Sequence, residues 1–160
     1  MEVFVASVIL PRSREAAFDY LCRPANFLKM LPGDAAGHVN AKLPPVMEAG
    51  SLLEFNVKAW GTSIQFVHEV TTVLVPDKIE VQQIKGPFKA WIQTLTFADA
   101  PQGQTLLTNT IQFLPPGGML GFIVTKKVIH SNLEQWINHG LELLRTALEK
   151  EMSDPPPFEL

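Results

Sequence analysis

Up to about Gly118, apolar and polar residues alternate along this chain, and turn signals interrupt the alternation at short intervals. After Gly86-Pro87-Phe88, the residues Trp91, Gln93, Leu95 and Phe97 take every second position and therefore share one face of a strand. The same spacing groups Ile64, Phe66, His68 and Val70, then Ile79, Val81 and Gln83, and later Asn109, Ile111 and Phe113. Each of these faces is apolar except for one amide or imidazole. A mixed face repeated on several strands predicts a lined hollow rather than a uniformly greasy core.

Val3 to Leu10 reads as the first strand, and it stops at Pro11, which has no amide hydrogen for a ladder. Ser13 caps a short helix carrying Glu15, Ala16, Ala17, Phe18, Tyr20 and Leu21, and Pro24 ends it. Asn26 to Met30 forms a second short helix, closed by Pro32-Gly33. From Ala35 strand signals recur, separated by Pro44-Pro45, Gly50, Gly61, Pro76-Asp77, Gly86-Pro87 and Pro101-Gln102-Gly103. Connections this short make neighbouring strands antiparallel, because parallel neighbours need long crossovers. The predicted order is one strand, two short helices and six further strands, seven strands in all.

Beyond about Gly118 the period changes. Ile129, Leu133, Trp136, Ile137, Gly140, Leu141, Leu144 and Leu148 fall on one helical stripe, with Glu134, Asn138, Glu142, Arg145 and Glu149 off it. A helix running to Lys150 must lay that stripe on the sheet. Gly140 inside it costs about 1 kcal/mol relative to alanine, so it serves close packing or leaves room for a guest. Residues 1–150 thus make a single α+β domain. Residues 151–160, with prolines at 155, 156 and 157, form a tail expected to be flexible, in which Phe158 and Leu160 would be the anchors if it docked.

Composition narrows the function. The chain has 160 residues, 46% of them hydrophobic, which suits one domain with a substantial core. Only 18% are charged and the formal net charge is −3, so nucleic acid is not an expected partner. Lys126-Lys127 reads as a solvated helix face. Cys22 is the single cysteine, which excludes an intrachain disulfide, and no secretory pattern opens the sequence, so a cytoplasmic location is expected. The apolar stretch from Met119 to Val124 is far short of the ~20 residues of a spanning helix. Membrane insertion is therefore not expected, and a monomer or homodimer is.

The candidate chemistry is sparse. His38, His68, His130 and His139 are scattered, and the last two lie on opposite sides of one helix, so neither a metal nor a cofactor is expected. Cys22 reads as a small buried hydrophobe, no Gly-x-Ser-x-Gly elbow is present, and Gly117-Gly118 with Gly121 matches no phosphate-binding loop. His68 is the best acid–base candidate, or else a core or rim histidine with one satisfied hydrogen bond; Glu69 lies on the other face. Gln83, Gln93 and Asn109 carry the stronger signal. An unpaired buried amide costs about 1–3 kcal/mol, so these three must pair with each other, with water or with a ligand. A void of about 300 Å³, where ligand pockets begin, would cost about 7 kcal/mol if empty. It must hold water or a guest, or be filled by Phe55, Phe66, Trp91 and Phe113.

Strand, two short helices, antiparallel meander and long terminal helix is the order of the helix-grip fold. Along nearly its whole length the chain resembles the START-like (SRPBCC) superfamily, in its polyketide cyclase/dehydrase-type and ligand-binding branches. The resemblance rests on Arg23-Pro24-Ala25-Asn26 with Leu31-Pro32, Trp60 and Ile64, Gln83 with Gly86-Pro87-Phe88 and Trp91, Phe97, and Phe113-Leu114-Pro115-Pro116-Gly117. It implies a seven-stranded sheet wrapped around the terminal helix. Members of this branch often place histidines at alternate positions after the tryptophan and an aspartate on a later strand. Gln93, Leu95 and Asn109 stand there in this sequence, and none transfers a proton near neutral pH.

The expected function is binding of a small hydrophobic molecule, of lipid, polyketide, isoprenoid or sterol-like type, between sheet and helix. Phe55, Phe66, His68, Val81 and Gln83 would supply one side of the site. Trp91, Gln93, Leu95, Asn109, Ile111 and Phe113 would supply the other, under a roof of Leu133, Trp136 and Ile137. An alternative is an aromatase/cyclase or dehydrase in which His68 transfers a proton. A third is a partner-binding module without a guest.

Overall fold

The computed structural model describes residues 1–30, 43–59, 62–117 and 126–153, with side chains described for residues 1–30, 43–57, 63–117 and 131–150. Strand β1 (Glu2–Leu10) follows its sequence alternation, burying Phe4, Ala6 and Leu10 and exposing Val3, Val5 and Ile9. In α1 (Arg14–Leu21) the Ser13 Oγ accepts the Ala16 N–H at 3.2 Å, which satisfies one of the donors that a helix start leaves open. Phe18 meets Phe97 edge-on at 5.1 Å and seats α1 on the sheet.

The second helix, α2 (Pro24–Phe27), begins two residues before its expected start at Asn26 and passes into a 3₁₀ turn, Leu28–Met30. Proline suits the first turn because the N–H it lacks would have no helical partner there. Residues 31–42, including Leu31-Pro32 and His38, lie outside the described set, as do Trp60 and Gly61.

The remaining strands are β2 (Leu52–Ala59), β3 (Thr62–Leu74), β4 (Lys78–Lys85), β5 (Ala90–Ala100) and β6 (Gln104–Leu114). They form one antiparallel sheet in the order β1-β6-β5-β4-β3-β2. The described sheet therefore has six strands rather than seven. The extra strand expected from Ala35 falls on residues outside the described set. Residues 43–51, which follow, form bends and a turn instead, because Pro44-Pro45 cannot donate to a ladder and Gly50 turns at φ 93°. The Met47 N–H donates to the Cys22 carbonyl at 2.7 Å and ties this loop to the helical insert.

The register aligns the buried residues in rows. Phe4 lies opposite Ile111, Ile111 opposite Gln93, Gln93 opposite Val81, and Val81 opposite Val70. The adjacent row runs Ala6, Asn109, Leu95 and Ile79. Each row thus carries one amide among apolar neighbours. The pairing of β3 with β4 slips between Val70 and Thr72, a bulge of the kind that increases twist and bends a strand.

Helix α3 (Lys126–Ser153) lays Leu133, Leu141, Leu144 and Leu148 into the core and packs on β1 and on the Leu28–Met30 turn. Its outer face holds Arg145 between Glu142 and Glu149. A Cβ on Gly140 would overlap the Met30 carbonyl oxygen, so this glycine serves close packing rather than room for a guest. Residues 118–125, where the helix was expected to start, and 154–160 of the tail lie outside the described residues. Among the described residues, no helix is long and apolar enough to cross a membrane.

Candidate functional site

A cavity of about 90 Å³ lies between the sheet and α3. On one wall β2 and β3 contribute Phe55, Val57, Ile64, Phe66 and His68; on the other β5 and β6 contribute Trp91, Gln93 and Asn109. Pro87 and Phe88 of the β4–β5 turn close one side, Phe27 and Met30 of the insert another, and Leu133, Trp136, Ile137 and Leu141 form the roof.

The aromatic lining is continuous. Phe55 and Phe66, opposite one another on β2 and β3, stack with centroids 5.3 Å apart and rings within 1° of parallel. His68 meets both edge-on, at 5.1 and 5.8 Å. Trp91 follows at 6.5 Å from His68 and packs on Phe88 at 4.8 Å. Phe113 backs this pair from the core, 5.8 Å from Phe88 and 6.2 Å from Trp91.

Four polar side chains interrupt the lining. Gln93 and Asn109 share a hydrogen bond, the Gln93 Nε2 donating to the Asn109 Oδ1 at 3.2 Å. His68 is 4% exposed, and among the described residues neither ring nitrogen has a hydrogen-bond partner. The expected single hydrogen bond of a core histidine is not found there. Burial pushes its pKa down to about 4, since a charged imidazolium loses hydration in this apolar wall and gains no counter-charge. Trp91 is 9% exposed, and its Nε1–H is likewise without a partner among the described residues.

Not every expected residue reaches the cavity. Phe55, Phe66, His68, Trp91, Gln93, Asn109, Leu133, Trp136 and Ile137 line it. Val81, Leu95, Ile111 and Phe113 are buried on the same sheet face but are absent from its wall, because facing the helix side does not guarantee bordering the void. Gln83 is diverted altogether. Its Nε2 donates to the Phe88 carbonyl at 2.7 Å and its side chain fills the space beside Gly86, so it braces the turn that carries Phe88.

The sequence reading passed over some of the wall. Val57 and Ile64 lie two positions from Phe55 and Phe66, and Leu141 four from Ile137, so the same periodicities reach them. Phe27 and Met30 had no such signal, since they come from a separate segment. Cys22 is buried, its thiol is pushed up by burial, and its Sγ donates to the Met47 carbonyl at 3.5 Å, which suits a structural residue. His139 is exposed on α3, away from His68.

No protein-family model matches the sequence, and neither does any curated protein. Solved structures match the fold over nearly their full length. The protein TTHA0849 of Thermus thermophilus shares 13% identity with a TM-score of 0.73, over 95% of this chain and 100% of that one. A START superfamily protein of Mycobacterium smegmatis shares 14% at a TM-score of 0.71, over 93% and 98%. The major latex-like protein 151 of Panax ginseng shares 8% at 0.64, over 91% and 96%. The architecture is a helix-grip fold of the START/SRPBCC type.

Proposed function

We propose that this protein binds a small, largely hydrophobic molecule in the cavity between sheet and helix. The observation that carries this reading is the continuous aromatic lining of the cavity, with the side-chain nitrogens of His68 and Trp91, unpartnered among the described residues, buried in its wall. Apolar walls give affinity by removing guest surface from water, at about 25 cal/mol per Å². The polar ends fix its orientation. The fold shared with a START superfamily protein supports the same use. At about 90 Å³ the hollow is smaller than the ~300 Å³ at which ligand pockets begin. Left empty it costs about 2 kcal/mol, which a compact guest recovers; lipid-sized, polyketide or isoprenoid guests require the half-buried Trp136 and Ile137 to move outward.

A binder fits better than an acid–base enzyme. A proton-transfer residue works best with a pKa near the operating pH, whereas His68, at about 4, is a weak base and is almost never protonated at pH 7. A guest-free partner module would have no use for a hollow with unpaired polar ends. Native mass spectrometry of the protein purified from its own host tests the proposal. A defined small-molecule adduct is expected; the absence of any adduct, together with no thermal stabilisation by apolar compounds, would overturn it.

A further inference from the structure

The hydrogen-bonding needs of the cavity are specific, and they deepen the binding reading on which this inference rests. Gln93 and Asn109 share one hydrogen bond, and further demand comes from His68 and Trp91, whose side-chain nitrogens have no partner among the described residues. A neutral imidazole offers one N–H and one bare nitrogen, and an indole offers only an N–H. The bare nitrogen of His68 needs a donor; the His68 N–H and the Trp91 Nε1–H each need an acceptor. Among the described lining residues there is no Arg, Lys, Asp or Glu, so none of them would balance the charge of a buried charged guest.

Each common polar group can be weighed against that demand. A carboxylate only accepts and brings a charge. An ammonium donates but also brings a charge. A ketone or an ether accepts from Trp91 and leaves the bare nitrogen of His68 unsatisfied. A hydroxyl both donates and accepts without charge.

We propose that the guest carries a hydroxyl as its polar group, on a single-ring or short-chain apolar body, with that hydroxyl turned to the edges of the neighbouring His68 and Trp91 rings that bear their nitrogens. The size follows from the volume: an apolar cavity of about 150 Å³ takes up benzene, so one of about 90 Å³ takes a single ring only as the half-buried Trp136 and Ile137 of the roof give way, and nothing much larger.

Isothermal titration calorimetry of the full chain at pH 7 with para-cresol, para-xylene, para-methylanisole and para-toluate tests this, alongside nitrogen NMR of the His68 ring. Para-cresol is expected to bind about tenfold or more tightly than para-xylene or para-methylanisole, and para-toluate not measurably. Para-cresol alone is expected to move the resonance of the bare His68 nitrogen upfield. His68→Phe and Trp91→Phe should each bring para-cresol and para-xylene within about threefold of one another. If either variant fails to fold, the comparison of the four probes on the unaltered chain still decides. Binding of para-xylene or para-methylanisole as tight as that of para-cresol overturns the hydroxyl assignment and leaves the hydrophobic-guest reading standing. No heat and no NMR change with any of the four overturns both.

Discussion

Gln93 on β5 and Asn109 on β6 are diagonal neighbours, each opposite an apolar residue of the other's strand, and their side chains close on one another at 3.2 Å. The pair resolves part of the polar burden predicted from the sequence without any guest. Removing one partner strands the other in an apolar wall, whereas removing both leaves nothing unpaired. Gln93→Leu and Asn109→Leu should each lower stability by about 1–3 kcal/mol. The double variant should be less damaged than the sum of the two. Urea unfolding of the four proteins gives the coupling, and additive losses would show that the amides do not act as a pair.

Gly140 reverses the usual rule for helices. Alanine is favoured over glycine by about 1 kcal/mol within a helix, yet a Cβ here would overlap the Met30 carbonyl oxygen. Backbone cannot swing aside as a side chain can. Gly140→Ala is expected to destabilise the protein by about 1–3 kcal/mol, while Asn138→Ala on the exposed face changes stability by less than about 0.5 kcal/mol. Thermal unfolding of the two variants checks the contrast, and a stabilised Gly140→Ala protein would refute the packing.

His68 should make stability depend on pH. Its folded pKa of about 4 lies below the ordinary value of 6.5, so between these pH values the unfolded chain binds more protons than the native one. The stability it contributes is complete above pH 6.5 and declines as pH falls toward 4. The loss amounts to roughly 3 kcal/mol across that window. His68→Phe should flatten the slope between pH 7 and pH 4.5 relative to the unaltered protein, as measured by urea midpoints; parallel slopes would argue against a buried neutral imidazole.

Gln83 holds the β4–β5 turn through the Phe88 carbonyl at 2.7 Å. Gln83→Leu should cost about 1–2 kcal/mol and release the segment bearing Pro87 and Phe88. The Lys89 N–H, which donates to the Leu114 carbonyl at 3.2 Å, should then exchange faster with solvent. Unchanged exchange at Lys89 would mean that the turn holds its shape without the brace.

How much of this was legible depended on what each signal encodes. Two-residue alternation reports the side of a sheet on which a Cβ stands, and it placed Trp91, Gln93 and Asn109 on the face that meets the helix. It carries nothing about depth, so Ile111 and Phe113 looked equivalent to Asn109 although they pack beside the hollow. Nor does it tell where a flexible amide ends: Gln83 starts on the inner face and turns back to its own hairpin. The helical stripe located Gly140, but its partner Met30 belongs to a distant segment, and a contact between distant segments has no period to reveal it. The START-like resemblance supplied the order of the elements, which the structure shares, while the hydrogen-bonding state of His68 depended on neighbours from several strands at once.

Ser7 on β1 hydrogen-bonds Thr108 on β6 at 3.1 Å, across 101 positions of sequence. During synthesis the first strand therefore emerges long before the strand that pairs with it, with the residues of β2 to β5 made in between. Closing so long a loop delays the reward for ordering it. The strand β1, with Val3, Val5 and Ile9 still facing outward in the finished molecule, thus stays without its ladder partner until β6 has been made.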